Sequence, residues 1–236
     1  MISMPEEFGL AAFQALVNIS MEDMCRGLFL DKNNSIKIKK EGVAVKNLVK
    51  IFDAALRLSN EKGFAAMSLR GLSAEAGLSM GALYAYFSSK EELLEMILRL
   101  GRSVVLQVIA AQIQDIDDPR ARLKRAIHAH LYLSEIMQPW FYFSYMETKN
   151  LDKAEQKNAI ATELFTENIF KDIIEQGISS GMFRQVNAGL ASSIIKAMLQ
   201  DWYLKRWKFR RREIAVEEYA CFLMEVLDSY MGLRDQ

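Results

Sequence analysis

Residues 71–93 read "GLSAEAGLSMGALYAYFSSKEEL", and they set two tyrosines and a phenylalanine (Tyr84, Tyr86, Phe87) just after two short apolar segments divided by a glycine. Serine and glycine mark the boundaries. Ser68 offers an acceptor to the free N–H groups of a helix whose inward positions are Leu69, Leu72 and Ala76. Gly77 can adopt the left-handed conformation that ends that helix, Leu78 plugs the turn, and Ser79 caps the next helix, Met80 to Phe87, with Leu83 and Phe87 inward. Ser89 followed by Glu92 is a capping box, so a further helix starts there and runs through Leu93, Leu94, Ile97 and Leu98. Upstream, Val45, Leu48, Val49, Phe52, Ala55 and Leu56 share one helical stripe, which Gly63 stops.

Three helices with a tight glycine turn between the second and third make a helix-turn-helix unit. With Leu83 and Phe87 inward, Met80, Tyr84 and the ring edge of Tyr86 are expected on outer faces, and Gly81, Ala82 and Ala85 are small enough for close approach to a surface. A major groove admits such a helix, and a tyrosine hydroxyl can donate to a phosphate oxygen. The same periodicity also suits a compact three-helix corner that docks another protein.

The whole chain agrees with an all-α reading. Its 236 residues contain three prolines and are 51% hydrophobic, and β-branched alternation is scarce. Cys25 and Cys221 are too few for a disulfide framework or a metal cluster, which fits a reducing cytoplasm. No apolar run approaches a membrane span, and Pro5, Glu6 and Glu7 stand where a secretory signal would be basic. The formal net charge is zero, yet it is unevenly spread. Lys32, Lys37, Lys39, Lys40, Lys46, Lys50, Arg57, Lys62, Arg70 and Lys90 face only Asp31, Glu41, Asp53, Glu61 and Glu75 within the same segment. A basic module beside an acidic remainder suits a chain with one polyanionic partner.

The order of residues adds to the periodicity. "IFDAALRLSNEKGFAAMSLRGLSAEAGLSMGALYAYFSSKEELL", Ile51 to Leu94, resembles the DNA-binding region of the TetR family of transcriptional regulators in I-x-x-A-A-x-x-L, G-F, A-G-L-S, G-x-L-Y-x-Y-F and S-K-E-E-L. The resemblance implies a recognition helix in a major groove, with Ser68, Arg70, Ser79, Met80, Gly81, Ala82, Tyr84, Tyr86 and Lys90 as the residues at or near DNA. Ser68 stands for a usual threonine and Ser73 for a usual alanine, and Met80 and Ala82 replace residues that are polar in many relatives. Neither Met80 nor Ala82 can make bidentate hydrogen bonds to guanine or adenine, though either can meet a thymine methyl. Base readout is therefore expected to fall to Arg70 and to DNA shape, while Lys90 contributes sequence-independent affinity.

Outside that region, Lys37, Lys39 and Lys40 precede the first helix either as a solvated linker or as an arm reaching phosphates or a minor groove. Phe8, Ala11, Ala12, Leu16 and Ile19 form an apolar helical stripe, expected to clip onto the chain's own body or onto a second subunit. Helical pattern continues to the end, with breaks at Asp117–Pro119, at Pro139, at Gly177–Gly181 and around Arg210–Arg212. "EQGISSGMFRQVNAGLASSII" is also similar to the family's C-terminal half. Ala191, Ile195, Met198, Leu199 and Trp202, then Ile214, Cys221, Phe222, Leu227 and Met231, are expected to pair with their copies in a homodimer or to complete a monomer core.

By analogy with the family, Trp140, Phe141, Tyr142, Tyr145 and Glu147 of "PWFYFSYME", with Trp202, are candidates for an apolar effector site, although part of an all-round aromatic helix must be core. "WYLKRWKFRRR" reads as a solvated basic helix end, with contact to nucleic acid, acidic lipid or the phosphates of an acyl-coenzyme A as alternatives. His128 and His130 lie two apart, on different helix faces, which argues against a metal pair; no metal and no cofactor are expected. No nucleophile elbow, phosphate loop or convergent acid–base set points to an enzyme.

The expectation is an all-α chain with an N-terminal extension (1–40), a helix-turn-helix domain (41–92) and a helical ligand-binding and dimerisation domain (93–236). Its partners would be a double-stranded DNA operator, a small hydrophobic or acyl-type effector and a second copy, in the cytoplasm and away from membranes. A helical scaffold whose helix-turn-helix docks a protein is the alternative.

Overall fold

A computed structural model describes residues 9–17, 19–31, 35–151 and 153–232. The helices are α1 (Leu10–Val17), α2 (Met21–Leu30), α3 (Glu41–Lys62), α4 (Leu69–Ala76), α5 (Met80–Leu83), α6 (Lys90–Ile113), α7 (Pro119–Ile136), α8 (Gln138–Glu147), α9 (Lys153–Ser179), α10 (Ala188–Leu204), α11 (Arg206–Arg211) and α12 (Val216–Met231). No strand forms among the described residues. Contacts divide the chain into two compact units. One comprises Asn18–Val104 and Pro139–Ala159; the other comprises Met1–Val17, Val105–Gln138 and Ile160–Gln236. Pro5, Glu6, Glu7, Phe8 and Lys32, named above, lie outside the described residues.

In the first unit the inward stripe of α3 (Ala44, Val45, Leu48, Ile51, Phe52, Ala55) forms the floor of a small core. Trp140 of α8 meets the edge of Phe52, with ring centroids 6.0 Å apart, and lies over Gly101 of α6, where a Cβ would come within 2.9 Å of the indole. Phe143 packs edge-on against Phe64 at 5.9 Å. α2 docks on α3 through Met24, Cys25 and Leu28, and Arg26 ties it to Glu41 at 3.1 Å. Burial pushes the Cys25 thiol up to about 12, so it packs as a small apolar group.

The second unit is organised around α7. Its residues from Ala126 to Ser134 are all buried, which requires neighbours on every side. α1, α10 and α12 supply them. α1 clips onto this body by a different residue from the expected stripe. Ala11, Ala12 and Leu16 are exposed, and Phe13 is the buried side chain, its ring 5.6 Å from Tyr132; the Leu10 N–H donates to Glu217 Oε1 at 3.1 Å.

For α10 and α12 the structure separates the two alternatives residue by residue. Ala191, Ile195, Leu199 and Trp202 face the unit's own core, as do Leu227 and Met231. Phe222 and Cys221 of the expected set are exposed, and they are joined on the surface by Leu190 and Ile194 on α10 and by Val226 and Tyr230 on α12. Trp202 is 0% exposed, its ring 4.7 Å from Phe209 and 4.9 Å from Tyr219, and its Nε1 donates to Glu135 Oε1 at 2.7 Å. It is a core residue with a satisfied indole N–H, which removes it from the effector candidates.

Candidate functional site

The helix-turn-helix is assembled by local hydrogen bonds. Ser68 Oγ accepts from the Gly71 N–H at 3.0 Å and starts α4. At its other end Gly77 is left-handed (φ 64°), and the bonds Leu78 N–H to Ser73 O (3.0 Å) and Gly77 N–H to Ala74 O (3.2 Å) close a Schellman turn. Ser73, the departure from the family pattern, adds a hydroxyl that donates to Leu78 O and clamps the same turn from the side chain. Ser79 Oγ then accepts from the Ala82 N–H at 3.2 Å and starts α5. Arg57 of α3 pairs with Glu75 and holds α4 against it.

α5 is shorter than the sequence suggests. Its α-helical part stops at Leu83, after which Ala85 N–H to Ala82 O (3.2 Å) and Tyr86 N–H to Leu83 O (2.9 Å) tighten the chain into i→i+3 bonds. Side chains three apart eclipse in such a turn, so Tyr86 falls on the inward face of Leu83. The expectation of an accessible Tyr86 ring edge is therefore corrected. Tyr86 is 0% exposed, Asn47 Nδ2 donates to its hydroxyl oxygen at 2.9 Å, and burial raises its pKa above that of an ordinary tyrosine. Tyr84 is 43% exposed, and Leu83 and Phe87 are buried as expected.

Around Tyr84 the outer face is uncluttered. Arg70, Ser79 and Gly81 are exposed, while Met80 and Ala82 are half-exposed beside them. Nothing lies within 4 Å of where a Gly81 Cβ would be. Lys90 is more constrained: its Nζ donates to Ala65 O at 2.9 Å and lies 4.8 Å from the centre of the Phe64 ring, and burial pulls its pKa down. The Ser89 cap holds, with Ser89 Oγ accepting from the Glu92 N–H at 3.1 Å. Glu92 reaches back one residue further than a capping box requires and accepts from the Ser88 N–H at 2.6 Å.

Among the effector candidates on α8, Glu147 is corrected as a free polar anchor. It is buried, and its Oε1 accepts the Phe64 N–H at 3.0 Å, capping the turn after α3. Trp140 is committed to Phe52 and Gly101. Phe141 is buried, Tyr142 half-buried and Tyr145 exposed. In the basic stretch Lys205 and Lys208 pair with Asp201, and Arg206 pairs with Glu135 and covers the Trp202 ring; Arg210, Arg211 and Arg212 are exposed beside Trp207. Sequence reasoning missed Asn47 and Glu135, whose roles depend on partners 39 and 67 residues away.

A four-residue helix presented on a capped helix-turn-helix, with Gly81, Tyr84 and Arg70 of the preceding helix outward and Leu83, Tyr86 and Phe87 inward, belongs to the class of modules that read duplex DNA. Comparison with known proteins agrees. Residues 51–97 match the family described as "Bacterial regulatory proteins, tetR family", and residues 116–226 match "Tetracyclin repressor-like, C-terminal domain". The chain belongs to the TetR family of transcriptional regulators. It is 28% identical over 171 residues to the HTH-type transcriptional regulator HbdR of Aromatoleum sp. (strain CIB), covering 72% of this chain and 74% of that one. It is also 28% identical to the HTH-type transcriptional repressor KstR2 of Mycobacterium tuberculosis (strain CDC 1551 / Oshkosh), covering 66% and 78%. The crystal structure of PfmR from Thermus thermophilus superposes with a TM-score of 0.69 at 28% identity, covering 79% of this chain and 99% of that one. No helix among the described residues is long and apolar enough to cross a membrane.

Proposed function

We propose that this regulator is a cytoplasmic homodimeric repressor that holds an operator through α5 and leaves it when a small hydrophobic or acyl-type effector binds. One observation carries the operator reading: Arg70, Ser79, Gly81 and Tyr84 are exposed and Met80 and Ala82 half-exposed on one face, with nothing within 4 Å of a Cβ on Gly81, and that face is built on a turn capped by Ser68 and Ser79. Arg70 supplies the bidentate donor for a guanine, Met80 and Ala82 meet thymine methyls, and Tyr84 and Lys90 address phosphates. Repression is the activity in the name of KstR2.

Dimerisation is supported by the exposed apolar residues on α10 and α12. Leu190 and Ile194 are one turn apart, as are Phe222, Val226 and Tyr230, so each helix exposes a stripe in addition to the one it buries. A dimer places two copies of α5 on half-sites one helical turn, or a multiple, apart. For the effector, half-buried Tyr142 and exposed Tyr145 are the α8 candidates that present surface. α6 is one continuous helix that contributes Lys90–Val104 to one unit and Val105–Ile113 to the other, which suits it to carry the coupling. A coupling of about 1–3 kcal/mol is sufficient.

The test is selection of a duplex from a random pool by the purified protein, followed by titration of that duplex and a scrambled one at equal salt. A dimer, specific affinity well above the salt-dependent background and release by a medium-chain acyl-coenzyme A or fatty acid are expected. A monomer with equal affinity for both duplexes would contradict the reading in favour of the protein-docking scaffold.

A further inference from the structure

The family match to the DNA-binding region begins at Ile51, and the chain just before α3 lies outside it. Residues 35–40 form no helix, and their exposure alternates: Ile36 and Ile38 are half-buried, whereas Lys37 and Lys39 are exposed, followed by exposed Lys40. A period of two is that of extended chain, and it puts Lys37 and Lys39 on one outward face. The segment is also tied down. The Lys37 N–H donates to Ala85 O at 2.8 Å, and the Ser35 hydroxyl contacts Tyr86 O at 3.5 Å and donates to the Glu92 carboxylate. Both backbone acceptors belong to the turn that immediately follows Tyr84. The three lysines are thereby held beside the outer end of α5 and cannot wander as a free tail would.

Competing charges are few. Glu92 faces Lys37 but is already occupied by Ser35 and Ser88, and Glu41 is taken by Arg26. Lys39 and Lys40 form no ion pair among the described residues. Isoleucine and lysine at these positions carry no bidentate group for base edges, whereas an ammonium is a compact charge suited to phosphate.

We infer that residues 35–40 are a second, sequence-independent DNA contact: an arm docked on the Ala85–Tyr86 turn whose Lys37, Lys39 and Lys40 grip the sugar–phosphate backbone flanking the half-site addressed by α5. The inference rests on the operator reading above and extends the interface beyond the family's DNA-binding region.

The experiment uses the full chain and the duplex selected by the wild type. Salt titrations compare wild type with the triple variant Lys37→Gln, Lys39→Gln, Lys40→Gln and with the triple Lys→Arg variant, each checked for a wild-type melting temperature. The glutamine variant loses three phosphate contacts per protomer and so six per dimer, which lowers the slope of log affinity against log salt by about 5. The glutamine protein should therefore bind at least about a thousand times more weakly near ~0.1 M salt. The loss should be equal on single-base variants of the duplex, with hydroxyl-radical protection disappearing only at the flanks, and the arginine protein should behave as wild type. A glutamine protein with wild-type slope and affinity overturns the arm while leaving the operator reading intact, and a loss that varies with base sequence overturns its backbone assignment. If the wild type selects no duplex, the operator reading itself fails and the arm falls with it.

Discussion

Removing one hydroxyl at a time from Tyr84 and Tyr86 separates the outward face of the recognition turn from its inward one. In Tyr86→Phe the hydrogen bond from Asn47 Nδ2 is lost from beneath the turn. A neutral hydrogen bond contributes about 0.5–1.5 kcal/mol, and because Asn47 is half-exposed its amide can turn to water, which places the cost near ~1 kcal/mol. For a chain of this size that lowers the melting temperature by about 2–4 °C. Affinity for the selected duplex, measured by fluorescence anisotropy well below the melting range, should stay within about twofold. In Tyr84→Phe the hydroxyl has no hydrogen-bond partner among the described residues, so stability should move by less than about 0.5 kcal/mol. DNA affinity of the dimer should instead drop by roughly a hundredfold, the cost of two hydrogen bonds, one per protomer, of about 1.5 kcal/mol each to charged phosphates. The reasoning is refuted if Tyr86→Phe weakens DNA binding at unchanged stability while Tyr84→Phe does nothing.

Two glycines in the same unit should respond oppositely. Gly77→Ala forces a Cβ residue into φ 64°, with nothing within 4 Å to clash, so the cost is conformational, about 1–2 kcal/mol by denaturant titration. Gly81→Ala replaces an exposed helical glycine and should leave stability unchanged or raised by up to ~1 kcal/mol, yet weaken DNA binding because the helix no longer approaches as closely. His128 gives the pH dependence: burial lowers its pKa to about 4, and its Nδ1, 2.8 Å from Lys124 O, carries the ring proton. The unfolded chain takes up a second proton near pH 6.5 and the folded chain only near 4, so stability is lost as pH falls through that window, by about 2 kcal/mol at pH 5. His128→Asn, which keeps a donor toward Lys124 O, should remove that part of the acid loss, and buried His130 continues to act in the same direction.

Much of the DNA-binding unit was legible because its boundaries are set by neighbours in sequence. Ser68, Gly77, Ser79 and Ser89 each act within a few residues, and all four do so where their spacing predicts. The inward turn of Tyr86 was not legible. Whether the chain after Leu83 continues at 3.6 residues per turn or tightens depends on the anchoring of Asn47 and of the Lys37 N–H, both contributed from outside the helix. In α10, periodicity finds Ala191, Ile195 and Leu199 as one stripe but is silent on which of two apolar stripes faces the chain's own core. Aromatic content misled in a similar way at Trp202 and Glu147. Their polar atoms are satisfied by Glu135 and by the Phe64 N–H, partners distant in sequence. For α1, Ala11, Ala12 and Leu16 of the expected stripe are exposed, and Phe13, on another face of the helix, is the side chain that meets Tyr132.

A crystal structure of the protein on its selected duplex tests the central claim most directly. It should show Met80, Gly81, Ala82 and Tyr84 at the major groove of each half-site with the Tyr86 ring still beneath Asn47. DNA lying against any other surface, or a Tyr86 ring swung out to meet it, would contradict the account.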